Sequence, residues 1–111
     1  MATTRTYSRL TREVLQLLGR QIRLSRKKRR WSEGELAERA GIARATVQKI
    51  EKGDPSCTIG LVFEVASLVG VSLYGAEGRE ALAPLRQGIE EQLALLPRHT
   101  HGSKRTIDDA F

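Results

Sequence analysis

The sequence predicts an all-α chain of five helices. Apolar residues recur three and four positions apart in five separate segments, the spacing that aligns side chains along one helix face. No apolar–polar alternation runs longer than a few residues. Glycine, proline or a capping side chain punctuates every segment, as helix ends require. A length of 111 residues suits one compact domain and a tail. With 40% hydrophobic residues and 5% aromatic ones, the expected core is small and aliphatic.

Residues 1–11 are polar and basic and read as a flexible N-terminal arm. Helix one is expected over about 12–29, where Val14, Leu17, Leu18 and Ile22 keep a helical period. Gly19 interrupts that pattern at a cost of about 1 kcal/mol. The run Arg26-Lys27-Lys28-Arg29-Arg30 suits the negative end of the helix dipole. Ser32-Glu33-Gly34-Glu35 is a capping box, with Trp31 and Leu36 placed as a hydrophobic staple. Helix two is then expected over about 33–40, with Leu36, Ala37 and Ala40 inward and Gly41 as a left-handed stop.

Only Gly41, Ile42 and Ala43 precede helix three, expected over about 44–52 with Val47 and Ile50 on one side and Gly53 at its end. Asp54-Pro55-Ser56 is turn chemistry. Thr58 is the expected cap of helix four, about 59–69, whose inward face is Leu61, Val62, Val65, Ala66 and Val69. Gly70 closes it. Helix five is expected to start at or upstream of Pro84 and to stop at Pro97, with a stripe of Leu82, Leu85, Ile89, Leu93 and Leu96. Residues 98–111 have too few apolar side chains to fold alone and read as a flexible tail.

The formal net charge is +6, and it is unevenly spread. Residues 1–53 carry 14 Lys and Arg against 5 Asp and Glu, and residues 54–111 carry 5 against 8. A basic half beside a mildly acidic half implies that one surface meets a polyanion. Nucleic acid and an anionic membrane surface both qualify. Helix one is basic and amphipathic enough for the second, but the capping box directly after it favours a packed role. No apolar run approaches the roughly 18 residues of a membrane span, and no secretory h-region opens the chain. The reading is cytoplasmic. A single cysteine, Cys57, excludes an internal disulfide and a four-cysteine zinc site. Its place before helix four is one where a thiol pKa can fall, so a redox switch stands beside an ordinary small residue as a reading.

Two short helices joined by a three-residue turn containing glycine make a helix-turn-helix, whose second helix enters the major groove. At about 100° per residue, Arg44, Ala45, Gln48 and Lys49 lie opposite Val47 and Ile50. The polar side carries base-reading chemistry. Arg44 forks onto guanine O6 and N7, Gln48 pairs with adenine, Ala45 meets a thymine methyl, and Lys49 reaches guanine or a phosphate. A solvated helix face is the bland alternative, disfavoured by the capping box, the glycine turn and the basic half together.

The segment LGRQIRLSRKKRRWSEGELAERAGIARATVQKIEKGD resembles the phage-repressor-like, Cro/C1-type (XRE-type) helix-turn-helix domain. The matching features are Ile22-Arg23-x-x-Arg26, Ser32-x-x-Glu35-Leu36-Ala37, Gly41-Ile42, Val47-x-x-Ile50-Glu51-x-Gly53, and Leu61 through Val71. The resemblance spans about 18–74 and implies a DNA-binding domain over 12–74. It implies base-facing positions for Arg44, Ala45 and Lys49, and backbone positions for Ser32, Glu33 and Thr46. It also implies an Arg26–Glu51 ion pair tying helix one to helix three. Glu33 departs from the usual Gln, and Arg30 from the frequent Gly. Lys28 and Lys52 are further candidates for the DNA backbone, although the run 26–30 also reads as a solvated helix end. Arg5, Arg9 and Arg12 are candidates for a groove-reaching arm.

One such domain covers too little DNA to be selective, so a homodimer on a palindromic operator is expected, with half-sites about 34 Å apart. Candidate dimer or partner contacts are Phe63, off the apolar face of helix four, and Leu85, Ile89 and Leu93 in the 75–97 segment. That stripe reads equally as packing on its own domain. The overall form is similar to antitoxins of the HipB type, which implies a HipA-like kinase toxin as a second partner, docked through Ile107 and Phe111 of the tail. The expected function is therefore a transcriptional repressor, and more finely an antitoxin. The alternatives are a stand-alone regulator and a protein-binding adaptor that leaves DNA alone. No enzyme is expected, because no acid, base and nucleophile converge. No cofactor or metal is expected either, since His99 and His101 lack a third ligand and the glycines lack phosphate-loop spacing.

Overall fold

The computed structural model describes residues 5–75 and 77–98. They form five α-helices and no β-strand: α1 (Arg9–Lys28), α2 (Glu33–Ala40), α3 (Arg44–Lys52), α4 (Ile59–Leu68) and α5 (Arg79–Leu95). The chain divides into two units, Met1–Leu73 and Tyr74–Phe111.

In the first unit α1 packs on α3, α2 on α3 and α2 on α4. Ile22, Leu36, Ala37, Val47, Ile50, Val65, Ala66 and Val69 are the buried core. Leu18, Trp31, Ala40, Ile42, Leu61 and Val62 pack around it. Helix one starts three residues earlier than its apolar period suggests, because the Ser8 hydroxyl accepts from the Thr11 amide and caps Arg9. Its four apolar residues also split. Leu18 and Ile22 face the core, while Val14 is 55% exposed and Leu17 63% exposed. The inward row is Leu18, Ile22 and Arg26, at i, i+4 and i+8; Val14 continues that row one step toward the N-terminus but is left uncovered, and Leu17 falls on the adjoining strip.

Gly19 is a requirement of the fold rather than a defect. A Cβ there would stand 2.5 Å from the carbonyl oxygen of Glu51 and 2.6 Å from that of Ile50. The bare backbone lets α1 cross the end of α3 at close range. Arg20 completes the crossing by donating from Nη1 to the Glu51 carbonyl at 3.0 Å.

Four helices end in one pattern, with paired 6→1 and 5→2 backbone hydrogen bonds around a left-handed residue. After α1 the Trp31 amide donates to the Arg26 carbonyl and the Arg30 amide to that of Lys27. The same pair recurs around Gly41, Gly53 and Gly70. Arg30, at φ +61°, is the only one of the four left-handed residues that is not glycine.

Helix four corrects two expectations. Thr58 occupies the N-cap position, but its side chain makes no capping hydrogen bond. Phe63 is half-buried rather than exposed. In the second unit α5 begins at Arg79 and carries Pro84 inside it. No residue of α5 is buried, and Leu82, Leu85, Ile89, Leu93 and Leu96 all remain exposed.

Candidate nucleic-acid interface

Helix two opens with both halves of the capping box. The Ser32 hydroxyl accepts from the Glu35 amide at 3.0 Å, and the Glu35 carboxylate accepts from the Ser32 amide at 2.8 Å. It closes on Gly41 in the left-handed region, and Ala43, two residues later, is the N-cap position of α3. That turn sets the second helix against the first. On α3, Val47 is fully buried and Ile50 is 2% exposed. Arg44, Ala45 and Lys49 are exposed, and Gln48 and Thr46 are half-buried. The helix therefore keeps its apolar side in the core and turns its Arg/Ala/Lys side to solvent.

Arg26 anchors this arrangement from below. Its Nε donates to Glu51 Oε2 at 2.6 Å and its Nη2 to Glu51 Oε1 at 3.0 Å, with both partners buried. Its Nη1 also donates to the Trp31 carbonyl at 2.9 Å. One guanidinium thus ties α1, the turn before α2, and α3 together.

The rest of the basic run divides by role. Arg29 donates from Nε to the Val69 carbonyl at 3.0 Å, at the end of α4. The guanidiniums of Arg29 and Arg39 lie over the Trp31 ring, 5.3 and 4.2 Å from its centroid, a favourable cation–π placement. Lys27 and Lys28 are exposed at the end of α1, as is Lys52 at the end of α3. Ser32 is exposed at the start of α2. The sequence gives no sign of the roles of Arg20 and Arg29, the second of which reads only as part of the basic run, because their carbonyl partners lie 31 and 40 residues away.

Glu33 was expected along the DNA backbone, but its carboxylate is already engaged. Its Oε1 accepts from Gln48 Nε2 at 3.0 Å and from Arg44 Nε at 3.3 Å. The Gln48 hydrogen bond is the largest influence on the Glu33 carboxyl; desolvation opposes it, and Arg44 adds to it, so the group sits below the usual glutamate range. Burial pushes the Cys57 thiol up, with Asp54 adding to the effect. That direction is opposite to the one a reactive thiolate requires.

The candidate contacts Ile107 and Phe111, and the pair His99 and His101, lie outside the described residues. Among the described residues no three His, Cys, Asp or Glu side chains gather as metal ligands, and no helix is long and apolar enough to cross a membrane.

A capped first helix, a glycine turn and a second helix with one buried and one basic side define a helix-turn-helix unit. Residues 22–75 match the family model described as Helix-turn-helix. The match, over just under half of the chain, supports a DNA-binding helix-turn-helix of the Cro/C1 type in this segment, as found in transcriptional regulators. No curated protein and no solved structure matches the chain.

Proposed function

We propose that the chain is a sequence-specific transcriptional repressor that binds a palindromic operator as a homodimer. One observation carries the reading. The side of α3 that holds Arg44, Ala45 and Lys49 faces solvent while Val47 and Ile50 are sealed in the core. In the major groove Arg44, Ala45, Gln48 and Lys49 meet base edges. Ser32, Thr46, Lys28 and Lys52 line the phosphates, where cations and hydroxyls position the protein without reading sequence. Two-fold pairing uses the α5 stripe of Leu85, Ile89 and Leu93, whose apolar side chains are still solvent-exposed. Phe63 contributes less, since it is already half-buried. The site of action is the cytoplasm.

The finer form of this reading is an antitoxin that represses its own operon and holds a HipA-like kinase toxin. It draws on the resemblance of the segment GDPSCTIGLVFEVASLVGV, residues 53–71, and on the acidic, apolar-ended tail at 106–111. A stand-alone regulator has the same DNA interface and lacks the second partner.

The test is selection of duplexes from a random pool, followed by titration of the best duplex and a scrambled one at physiological salt. A recovered palindrome bound more tightly than its scramble supports the repressor. Equal affinity for both removes it. Co-purification of a kinase from the neighbouring gene separates the antitoxin from the stand-alone regulator.

A further inference from the structure

Glu33 is an odd residue to find between the helices of a DNA-reading unit, since its charge opposes phosphate. The capping of α2 does not require it. Glu35 supplies the carboxylate of the capping box. Glu33 instead points across to α3, where a single oxygen, Oε1, accepts from Gln48 Nε2 at 3.0 Å and Arg44 Nε at 3.3 Å. Its side chain is only 28% exposed, against 69% for that of Arg44.

The geometry has a directional consequence for both partners. An ionised carboxylate only accepts hydrogen bonds, so Gln48 must turn its amide nitrogen toward Glu33. That leaves Gln48 its Oε1 and a second N–H, which is the acceptor–donor pair that adenine N6 and N7 require. Arg44 spends Nε–H on Glu33 and keeps its two terminal nitrogens, the fork that spans guanine O6 and N7. One side chain thus removes rotational freedom from two base readers before DNA arrives, and ordering lost rotamers is a main cost of binding.

We infer that Glu33 is a specificity-determining positioning residue, which orients Arg44 and Gln48 for base contact while weakening attraction to phosphate in general. This rests on α3 being the reading helix. The depressed carboxyl keeps the group charged throughout the neutral range.

Three substitutions separate positioning from charge. Glu33→Asp keeps the charge but withdraws it by one methylene from Arg44 and Gln48. Glu33→Gln keeps the reach and an acceptor oxygen but removes the charge. Glu33→Ala removes both. Each variant is titrated with a duplex selected by the wild-type protein and with its scramble, after circular dichroism has shown helix content and melting unchanged.

Positioning predicts that Glu33→Asp and Glu33→Ala lower the ratio of the two affinities by about tenfold, and that Glu33→Gln keeps most of the ratio while binding scrambled DNA more tightly. A pure charge effect predicts no change of ratio in any variant, and Glu33→Asp with wild-type discrimination overturns the inference. A wild-type protein that cannot tell the duplexes apart overturns the repressor reading itself, a separate outcome. Without DNA, the side-chain amide protons of Gln48 should shift with the acid titration of Glu33 in nuclear magnetic resonance spectra. An amide blind to that titration also counts against the contact.

Discussion

Arg26 and Glu51 form a buried ion pair with two hydrogen bonds, joining α1 to α3 across 25 residues of sequence. The third bond of Arg26, to the Trp31 carbonyl, makes its guanidinium the hub beneath α3. Replacing Arg26 with Ala leaves a carboxylate buried without a counter-charge, which costs about 3–5 kcal/mol. The Arg26→Ala/Glu51→Ala pair should lose much less than the sum of the single changes, because neither charge is then stranded. Arg26→Lys should also be costly, since one ammonium cannot reproduce the two-bonded fork. Urea denaturation of the four-member cycle measures the coupling; additive losses would contradict it.

Arg30 sits at φ +61° where the three equivalent helix ends have glycine. A side chain held in the left-handed region costs about 1 kcal/mol or more. Arg30→Gly should therefore stabilise the fold, by about 1 kcal/mol less the entropy that glycine loses on folding. The expected sign is a higher melting temperature with unchanged helix content. A lower melting temperature would mean that the Arg30 side chain contributes more than its backbone costs.

The helices and the turns between them were legible because their signals are local. The capping box, Gly41 and Gly53 mark the ends of α2 and α3 within a few residues, and the 3.6-residue period puts Val47 and Ile50 together. Helix one shows where local reading stops. Periodicity finds its apolar strip but does not say how much of it the neighbouring helix covers, so Val14 and Leu17 turn out exposed. The need for Gly19 comes from carbonyls on α3, which no window of α1 contains. The same holds for Glu33, whose partners Arg44 and Gln48 lie 11 and 15 residues on.

Two glycines inside helices provide opposite tests. An Ala at Gly19 would press its Cβ into the α3 backbone at 2.5 Å, and neither backbone can give way cheaply. Overpacking of this kind costs about 1–3 kcal/mol. At Gly88, within α5, an added Cβ meets nothing within 4 Å. Gly88→Ala should gain up to about 1 kcal/mol of helix propensity. Thermal melts of the two variants should move in opposite directions. A neutral Gly19→Ala would show that α1 and α3 do not cross so closely.

Asp54 makes the α3–α4 turn sensitive to acid. Its Oδ1 accepts from the Ser56 amide at 2.9 Å and the Ser56 hydroxyl at 2.8 Å. The amide contact, followed by the hydroxyl, holds its carboxyl below the usual aspartate range. A depressed folded pKa contributes stability above the unfolded value of about 3.9, and that contribution is lost as pH falls through the folded pKa. Asp54→Asn should be less stable than wild type at neutral pH, with the gap closing on acidification. Urea midpoints measured from about pH 6 down to 2 check it; a gap independent of pH would assign the loss to packing.

Arg44 and Lys28 should differ in kind rather than in degree. Arg44 is exposed on the solvent side of α3 and gives Glu33 only its Nε; under the proposed function, Arg44→Ala removes a contact that exists only on the right sequence. The expected result is a loss of about 1–3 kcal/mol on the selected duplex and little change on the scramble. Lys28, exposed at the end of α1, offers only a charge to the phosphates. Lys28→Ala should weaken both duplexes about equally and lower the slope of log affinity against log salt by about one. Titrations at several salt concentrations separate the two. If both variants bind as wild type does, α3 is not in the groove, and the exposed basic side of the helix serves some other surface.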